Sequence, residues 1–235
     1  MKDAPTEAII LAGGKAERLG AAARGRPKPL VEVAGRPLVS YQIDSLAKAG
    51  VERVLLSCAA GSGDAFTREL NGVPVEVVPV EEEEPLGRGG GLRHAAAARR
   101  RTGEVYALNG DELVSIDYAG LLARHREAAA TATIAVARPR SPFGVVELTA
   151  GDLVSGFDEG AEAPWWVSCG VYVLGEEALR RLPERGDHET ETFPLLASEG
   201  ALAAFRYDGA WLTVNTPKDL RRAEDYVASH PGWPG

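Results

Sequence analysis

The first 110 residues alternate short apolar runs with amphipathic stretches, and this alternation restricts the fold more than any other feature. The first run, Ala8–Ala12, is continuously apolar and stops at Gly13-Gly14, as a strand buried on both faces would. Further strands are predicted at Val51–Cys58, Val73–Val80 and Glu104–Asn109, with helices at Pro37–Gly50, Asp64–Leu70 and Leu92–Arg101 between them. Repeated β-α-β units build parallel sheets with right-handed crossovers, so we predict an α/β fold with a doubly wound, Rossmann-like, mostly parallel sheet.

The alternation changes after Asp111. A helix at Tyr118–Ala129 and a strand at Thr131–Ala137 are followed by hairpin-like strands at Phe143–Leu148, Leu153–Phe157 and Val167–Leu174. The remaining predicted elements are helices near Glu176–Leu182 and Thr190–Ala197, strands at Ala201–Phe205 and Trp211–Val214, and a last helix at Pro217–Ala228. We therefore predict antiparallel insertions within a single catalytic domain at residues 1–230, followed by a short frayed tail at residues 231–235.

Charge and cysteine content exclude several classes of protein. The 235 residues carry 26 Lys and Arg against 34 Asp and Glu, a net charge of −8, whereas nucleic-acid-binding proteins neutralise phosphates with a basic surface. Cys58 and Cys169 are far apart in the sequence, which argues against a disulfide framework or a cysteine zinc site. No stretch approaches the roughly 20 apolar residues of a membrane span. We expect a cytoplasmic protein with neither a nucleic-acid nor a membrane partner.

A cationic glycine loop follows the first predicted strand. Between Gly13 and Lys28 this acidic chain places five cations against the single acid Glu17; they are Lys15, Arg18, Arg24, Arg26 and Lys28. Glycines at the carboxyl end of a strand let backbone N–H groups approach a ligand, and a polyphosphate would satisfy the positive field. The loop lacks the spacing of a P-loop and of G-x-G-x-x-G. Pro27 and Pro29 are expected to hold Lys28 extended.

A second polar segment, Asn109-Gly110-Asp111, stands at the end of the strand predicted at Glu104–Asn109. A carboxylate at the carboxyl end of a strand, beside a phosphate-binding loop, suits Mg²⁺, which prefers oxygen ligands and bridges to substrate phosphates. Asp111 is therefore the predicted metal ligand. Its neighbour Glu112 is more typical of a structural or solvent-facing residue.

Taken together, these motifs make the chain resemble the sugar-1-phosphate nucleotidylyltransferases, or nucleotide-sugar pyrophosphorylases. The resemblance runs through LAGGKAERLG and RPKPL at residues 11–30, PLGRGGGLRHA at 85–95, LNGDE at 108–112, FGVVEL at 143–148, SCGVYVL at 168–174 and WLTVNTPKDL at 211–220. It implies the nucleotide-diphospho-sugar transferase type of fold. It also implies Mg²⁺-dependent transfer of a nucleotidyl group from a nucleoside triphosphate to a sugar 1-phosphate, with a weak preference for GTP and a homodimer as one expected state.

The resemblance implies a role for each matching residue. The implied catalytic residues are Arg18, Lys28 and Asp111. The implied nucleotide-binding residues are Leu11, Ala12, Gly13, Gly14, Lys15, Glu82, Gly87, Gly89 and Gly90. The implied sugar-binding residues are Gly144, Glu159 and Gly170, and the implied metal ligands are Asp111 and Asn215.

Three departures from the family pattern concern the same reaction. The second metal-binding Asp of the family is absent, and the two matching positions hold Thr213 and Asn215. The lysine that relatives carry after the residue matching Glu159 is absent, because Gly160 stands there. Arg88 stands where relatives often have Thr. Two alternatives stay open. The compact AGGKAERLG loop and the Asn-Thr-Pro segment favour transfer to a non-sugar phosphate acceptor, as in molybdenum-cofactor guanylyltransferases or alcohol-phosphate cytidylyltransferases. The absent lysine after Glu159, with Thr213 and Asn215, favours a non-catalytic nucleotide-binding regulatory paralogue.

Overall fold

A seven-stranded sheet forms the centre of the protein in the computed structural model, which describes residues 4–141 and 143–234. The strands are β1 Glu7–Leu11, β2 Glu32–Val33, β3 Arg36–Pro37, β4 Arg53–Ala59, β5 Glu76–Glu82, β6 Val105–Asn109, β7 Glu112–Val114, β8 Ala132–Ala137, β9 Gly144–Leu148, β10 Val154–Glu159, β11 Val167–Leu174, β12 Leu202–Arg206 and β13 Trp211–Thr213. The sheet order is β12-β8-β11-β6-β1-β4-β5, and only β11 runs antiparallel to its neighbours. The predicted mostly parallel α/β sheet is confirmed.

Helices cover both faces of this sheet. They are α1 Leu38–Lys48, α2 Gly63–Glu69, α3 Gly87–Ala96, α4 Tyr118–Glu127, α5 Glu176–Arg181, α6 Thr192–Ser198 and α7 Pro217–Ser229. Apolar side chains of α1, α2 and α4 join one core cluster, and those of α3, α5 and α6 join the cluster on the opposite face. Because both faces are covered, the middle of the central strands is largely apolar, and Ala8, Ile9 and Ile10 of β1 are completely buried.

The antiparallel insertion is a hairpin of β9 and β10 that stands apart from the main sheet. Its apolar side chains are largely exposed, including Phe143 and Phe157. In the described ranges, no helix has the length and apolarity that crossing a lipid bilayer demands.

The start of α3 differs from the prediction. The helix was expected to begin at Leu92, but it begins at Gly87 and includes the glycines at 87, 89, 90 and 91. A Cβ on Gly87 or Gly90 would lie within 2.6 Å of a backbone oxygen of the 183–188 segment. This close packing against a neighbouring segment offsets the low helix propensity of glycine, which the sequence pattern alone cannot reveal.

The C-terminal residues also differ from the prediction. Residues 231–234 were expected to fray, yet the Trp233 ring packs 5.8 Å from the rings of both Tyr41 and Tyr226, measured between centroids. Lys48 donates a hydrogen bond to the Pro234 carbonyl oxygen. The tail therefore extends the core formed by α1 and α7. Gly235 lies outside the described residues.

His188 is expected to make stability depend on pH. Its ring is completely buried between Tyr172 and Phe193, and burial lowers the pKa of His188 to about 4. The unfolded chain binds the proton near the ordinary pKa of 6.5, so stability falls as pH drops from about 7 toward 4, by on the order of 3 kcal/mol. Urea unfolding at several pH values across this range would measure how the free energy of unfolding changes with pH.

The pH dependence of the free energy of unfolding is compared between His188→Leu and the control His94→Leu. His94 is exposed on α3, whereas His188 is buried. The His188 variant should show the shallower slope, whereas His94→Leu should follow the wild type. Equal slopes in all three proteins would show that His188 does not hold a depressed pKa.

Candidate active site

The site lies where β1 and β6 end beside each other. Leu11 pairs with Asn109, and Gly110 donates a backbone hydrogen bond to the Leu11 oxygen at 2.9 Å. The glycine loop leaves β1 and Asp111 follows β6 at the same edge of the sheet. Carboxyl ends of parallel strands are where open α/β sheets bind ligands.

Lys28 connects these two segments. Its backbone N–H donates to Gly14 oxygen at 3.2 Å, and its side chain is only 8% exposed. Nζ donates to Asp111 Oδ2 at 2.6 Å and to Asn215 Oδ1 at 2.7 Å. Lys28 begins a three-residue 3₁₀ helix, so the extended conformation expected for it is wrong. Pro29 fits there because early helical positions leave their N–H groups unpaired.

Asn215 reaches the site through the pairing of two short strands. β13 pairs with β7, and Val214 donates a backbone hydrogen bond to Asp111 oxygen at 3.2 Å. A capping box at the start of α7, formed by Thr216 and Asp219, holds the next residues. Asn215 Oδ1 also accepts a hydrogen bond from Arg18 at 2.8 Å. Thr213 lines a different cavity, of about 690 Å³, and Asn215 is the residue whose side chain contacts Lys28, the cation that Asp111 also contacts.

Two cavities flank the glycine loop and share Gly14. The larger, about 380 Å³, is lined by Ala12, Gly13, Gly14, Lys15 and Ser62 among others. The smaller, about 230 Å³, is lined by Leu11, Gly14, Lys28, Pro29, Arg88 and residues 109–112. Within residues 4–141 and 143–234, the N–H groups of residues 13–15 have no protein acceptor. These N–H groups and the nearby cations form a surface suited to binding an anion.

Glu112 lies deeper than Asp111 and is buried rather than solvent-facing. It accepts a hydrogen bond from Trp211 Nε1 at 2.5 Å, and burial, together with the charge of Asp111, raises the pKa of Glu112 to about 7. Gly170 packs directly against it, because a Cβ at position 170 would lie 2.9 Å from Glu112 Oε1. The positive φ of +67° at Gly170 also favours glycine. Gly170 therefore stands at the wall of the site.

The other predicted sugar-binding residues lie on the hairpin. Gly144 and Glu159 are cross-strand partners at its base, and both are exposed. Among the described residues, no hydrogen bond or ion pair joins Glu159 to Lys28, Asp111 or Asn215. Their assignment to sugar binding stays a prediction.

The predicted nucleotide-binding residues between 82 and 90 have contacts within the protein. Glu82 accepts hydrogen bonds from Ser57 at 2.6 Å and from the Leu86 N–H at 2.9 Å. The N–H groups of Gly89 and Gly90 both point to the oxygen of Gly186. These contacts explain why the segment needs glycine and an acid, and its contact with a nucleotide stays a prediction.

Gln42 is a supporting residue that the sequence analysis did not identify. From the buried face of α1, its Nε2 donates to the carbonyl oxygens of Asn109 at 2.7 Å and Glu112 at 2.8 Å. These two carbonyls flank Asp111, so Gln42 fixes the turn that carries the acid. A polar residue on an otherwise apolar helix face was the available signal.

Gln42→Met is expected to lower the free energy of unfolding by about 2 kcal/mol, because two buried carbonyl groups lose their donor. The looser turn should also lower catalytic turnover. Denaturant unfolding and steady-state kinetics would measure both effects. Ser40→Ala is the control on the same helix, since the Ser40 hydroxyl bonds only to Pro37 oxygen within its own segment. A Gln42 variant as stable and active as that control would contradict the assigned role.

Comparisons with known proteins agree on one family. A family model described as nucleotidyl transferase matches residues 7–230. A mannose-1-phosphate guanylyltransferase of Mycobacterium tuberculosis is 32% identical over 226 residues, covering 92% of this chain and 63% of that protein. A mannose-1-phosphate guanylyltransferase catalytic subunit beta of Danio rerio is 32% identical, covering 91% of this chain and 62% of that protein. The chain thus spans somewhat less than two thirds of the length of these relatives.

A solved structure gives the same fold. HddC from Yersinia pseudotuberculosis, in a crystal structure described as a complex with GMP-PN, superposes with a TM-score of 0.74 at 23% identity. The match covers 94% of this chain and 99% of HddC. The nucleotide-diphospho-sugar transferase type of fold is thereby confirmed.

Proposed function

Because the chain belongs to the nucleotidyl transferase family, we propose that it transfers a nucleotidyl group from a nucleoside triphosphate to a sugar 1-phosphate, with release of pyrophosphate. The observation that carries this proposal is the convergence of Lys28, Asp111 and Asn215 on one point beside the glycine loop. Three segments far apart in the sequence supply these groups. An ordinary turn acid or surface lysine would need no such arrangement.

We propose GTP as the donor and mannose 1-phosphate as the first acceptor to test. The support is the names of the relatives, which are mannose-1-phosphate guanylyltransferases, and the GMP-PN named in the complex of HddC. The glycine loop and its cations would bind the triphosphate in the larger cavity. The acceptor would then enter beside Asp111 in the smaller one.

The proposed chemistry needs no covalent intermediate on the protein. An oxygen of the sugar phosphate forms a bond to the α-phosphorus, and the bond between that phosphorus and the oxygen bridging to the β-phosphate breaks. Two polyanions must be held together, so positioning and electrostatic stabilisation dominate the catalysis. Lys28 would neutralise charge at the reacting phosphate, with its Nζ directed by Asp111 and Asn215. Arg18 would bind the leaving pyrophosphate.

We further propose Mg²⁺ as the cofactor, held by Asp111 and Asn215. The oxygens of both side chains already converge on one cation, the ammonium group of Lys28, and the donor set fits the oxygen preference of Mg²⁺. In the part of the chain that the structure describes, no group of three acidic, histidine or cysteine side chains forms a complete metal site. Substrate oxygens would therefore complete the coordination. The ion would neutralise phosphate charge when bound.

The test combines each nucleoside triphosphate with each of a set of sugar 1-phosphates and non-sugar phosphate acceptors. Pyrophosphate release is measured for every pair, once with Mg²⁺ and once with EDTA. We expect the strongest release with GTP and a sugar 1-phosphate, and its loss in EDTA. Release only with a non-sugar acceptor would favour nucleotidyl transfer to a non-sugar phosphate. Nucleotide binding without release on any acceptor would favour a regulatory paralogue.

Cellular location and assembly belong to the same proposal. Cys58 and Cys169 are buried free thiols, which supports a reducing compartment such as the cytoplasm. A homodimer stays a prediction that size-exclusion chromatography with light scattering would test.

A further inference from the structure

Arg88 is a charged residue of the smaller cavity to which the sequence analysis assigned no role. It lies in the first turn of α3 and lines the smaller cavity together with Lys28 and Asp111. Its guanidinium is held by two carboxylates: Nε and Nη2 contact Asp187 Oδ2 at 2.7 and 2.6 Å, and Nη1 contacts Glu189 Oε2 at 2.7 Å. These contacts hold the Arg88 guanidinium in one orientation.

Arg88 keeps part of its hydrogen-bonding capacity although two carboxylates hold it. Arg88 lines the cavity, whereas among the described lining residues neither Asp187 nor Glu189 occurs. The three contacts use three of the five guanidinium N–H bonds, and the side chain remains 43% exposed. Two guanidinium N–H bonds therefore remain without a protein acceptor among the described residues.

The segment that carries the carboxylates is itself rigidly attached to α3. Gly186 accepts a hydrogen bond from the Gly89 N–H at 2.9 Å and donates its own N–H to Leu86 oxygen at 2.9 Å. Asp187 in turn receives the N–H of Glu189 on its Oδ1 at 2.9 Å. Because Asp187 and Glu189 are fixed to the same helix that carries Arg88, they position its guanidinium with little loss of side-chain freedom on binding.

A chain of hydrogen bonds connects Glu189 to Gly170. Glu189 Oε1 accepts from the Tyr172 hydroxyl at 3.0 Å, and Ser168 Oγ lies 3.3 Å from that hydroxyl. Ser168 Oγ also accepts the Gly170 N–H at 3.2 Å. Gly170 packs against Glu112, which lines the smaller cavity. Arg88 lines that same cavity, where the proposed acceptor enters, and is not among the described residues that line the larger one.

We propose that Arg88 binds the phosphate group of the sugar 1-phosphate acceptor, and that Asp187 and Glu189 are positioning residues for its guanidinium. This inference rests on the proposed function. Among the described residues that line the smaller cavity, Arg88 and Lys28 are the two cations, and Lys28 is assigned to the reacting phosphate. A guanidinium supplies two parallel donors that match phosphate oxygens, which a single ammonium group does not.

The experiment compares Arg88→Gln and Arg88→Lys with the control Arg93→Gln. Arg93 lies on the same helix, has the same 43% exposure and contacts Leu182 and Glu184 outside the cavity. We expect Arg88→Gln to raise the KM for mannose 1-phosphate at least ~10-fold and to change the KM for GTP less than ~2-fold. Arg88→Lys should restore part of the loss, and Arg93→Gln should match the wild type. An equal rise in both KM values would overturn the inference.

The carboxylates are tested by the double variant Asp187→Asn with Glu189→Gln, made in the wild type and in the Arg88→Gln background. A positioning role predicts a ~3-fold or greater rise in the KM for mannose 1-phosphate in the wild type and no further rise in the Arg88→Gln protein. A purely structural role predicts a lower Tm with the KM unchanged, or equal effects in both backgrounds.

A binding measurement separates failure of the inference from failure of the proposed function. Absence of turnover in the wild type would reject the proposed function alone. Calorimetric titration with mannose 1-phosphate, in the presence of a non-hydrolysable GTP analogue, still tests Arg88. Wild-type affinity at least ~10-fold above that of Arg88→Gln supports the inference, and equal affinity, including no binding by either protein, overturns it.

Discussion

Asp111→Asn is expected to lower kcat at least ~100-fold, because the substitution removes the negative charge that orients Lys28 and provides the carboxylate of the proposed metal site. The side chain is 37% exposed and its only ion pair is with Lys28 among the described residues, so the fold should persist. Steady-state pyrophosphate release at saturating GTP and sugar 1-phosphate would measure the loss. Circular dichroism and thermal unfolding would establish that the variant is folded.

Asp44→Asn is the matched control for this prediction. Asp44 is similarly exposed and forms an ion pair with Arg36 at 2.6 Å, the same distance as the Asp111–Lys28 pair, but on the outer side of α1. This variant should retain wild-type kcat. If Asp111→Asn retained it as well, the assignment of the reacting centre to this edge of the sheet would be wrong.

Lys28→Met is the second large effect that we expect, with a fall in kcat of ~100-fold or more. Methionine replaces the unbranched carbon chain of the buried lysine and lacks the terminal ammonium group, so the positive charge at the reacting phosphate disappears while most of the packing remains. The KM for GTP should change less than kcat, because the proposed contact strengthens as charge develops in the transition state. Single-turnover kinetics would separate the chemical step from product release.

The control for this variant is Lys48→Met, since Lys48 contacts the carbonyl oxygen of Pro234 and is not among the described residues that line either cavity at the glycine loop. Its kcat should equal that of the wild type. A Lys28→Met enzyme that lost only affinity for GTP, with kcat intact, would assign Lys28 to ground-state binding instead.

Much of the architecture follows from local pattern. The apolar run at Ala8–Ala12 predicted β1 because a strand covered on both faces has no solvent side to carry polar residues. The Thr216–Asp219 motif predicted the start of α7 because a hydroxyl cap, proline and an acid satisfy the first N–H groups of a helix. The beginning of α3 was missed because glycine propensity favours a loop and only packing against Gly186 reverses that preference.

The sequence by itself determined the alternating order of strands and helices, the glycine loop after β1 and the acid after β6, because these depend on neighbouring residues and on the rule that parallel strands end at one edge. Only the tertiary structure decided that Asn215, rather than Thr213, joins Lys28 and Asp111, because the pairing of β13 with β7 sets which side chain faces the cavity. It likewise brought Asp187 and Glu189 to Arg88 across about a hundred residues of chain. No local pattern encodes such contacts, since they arise from the packing of whole elements.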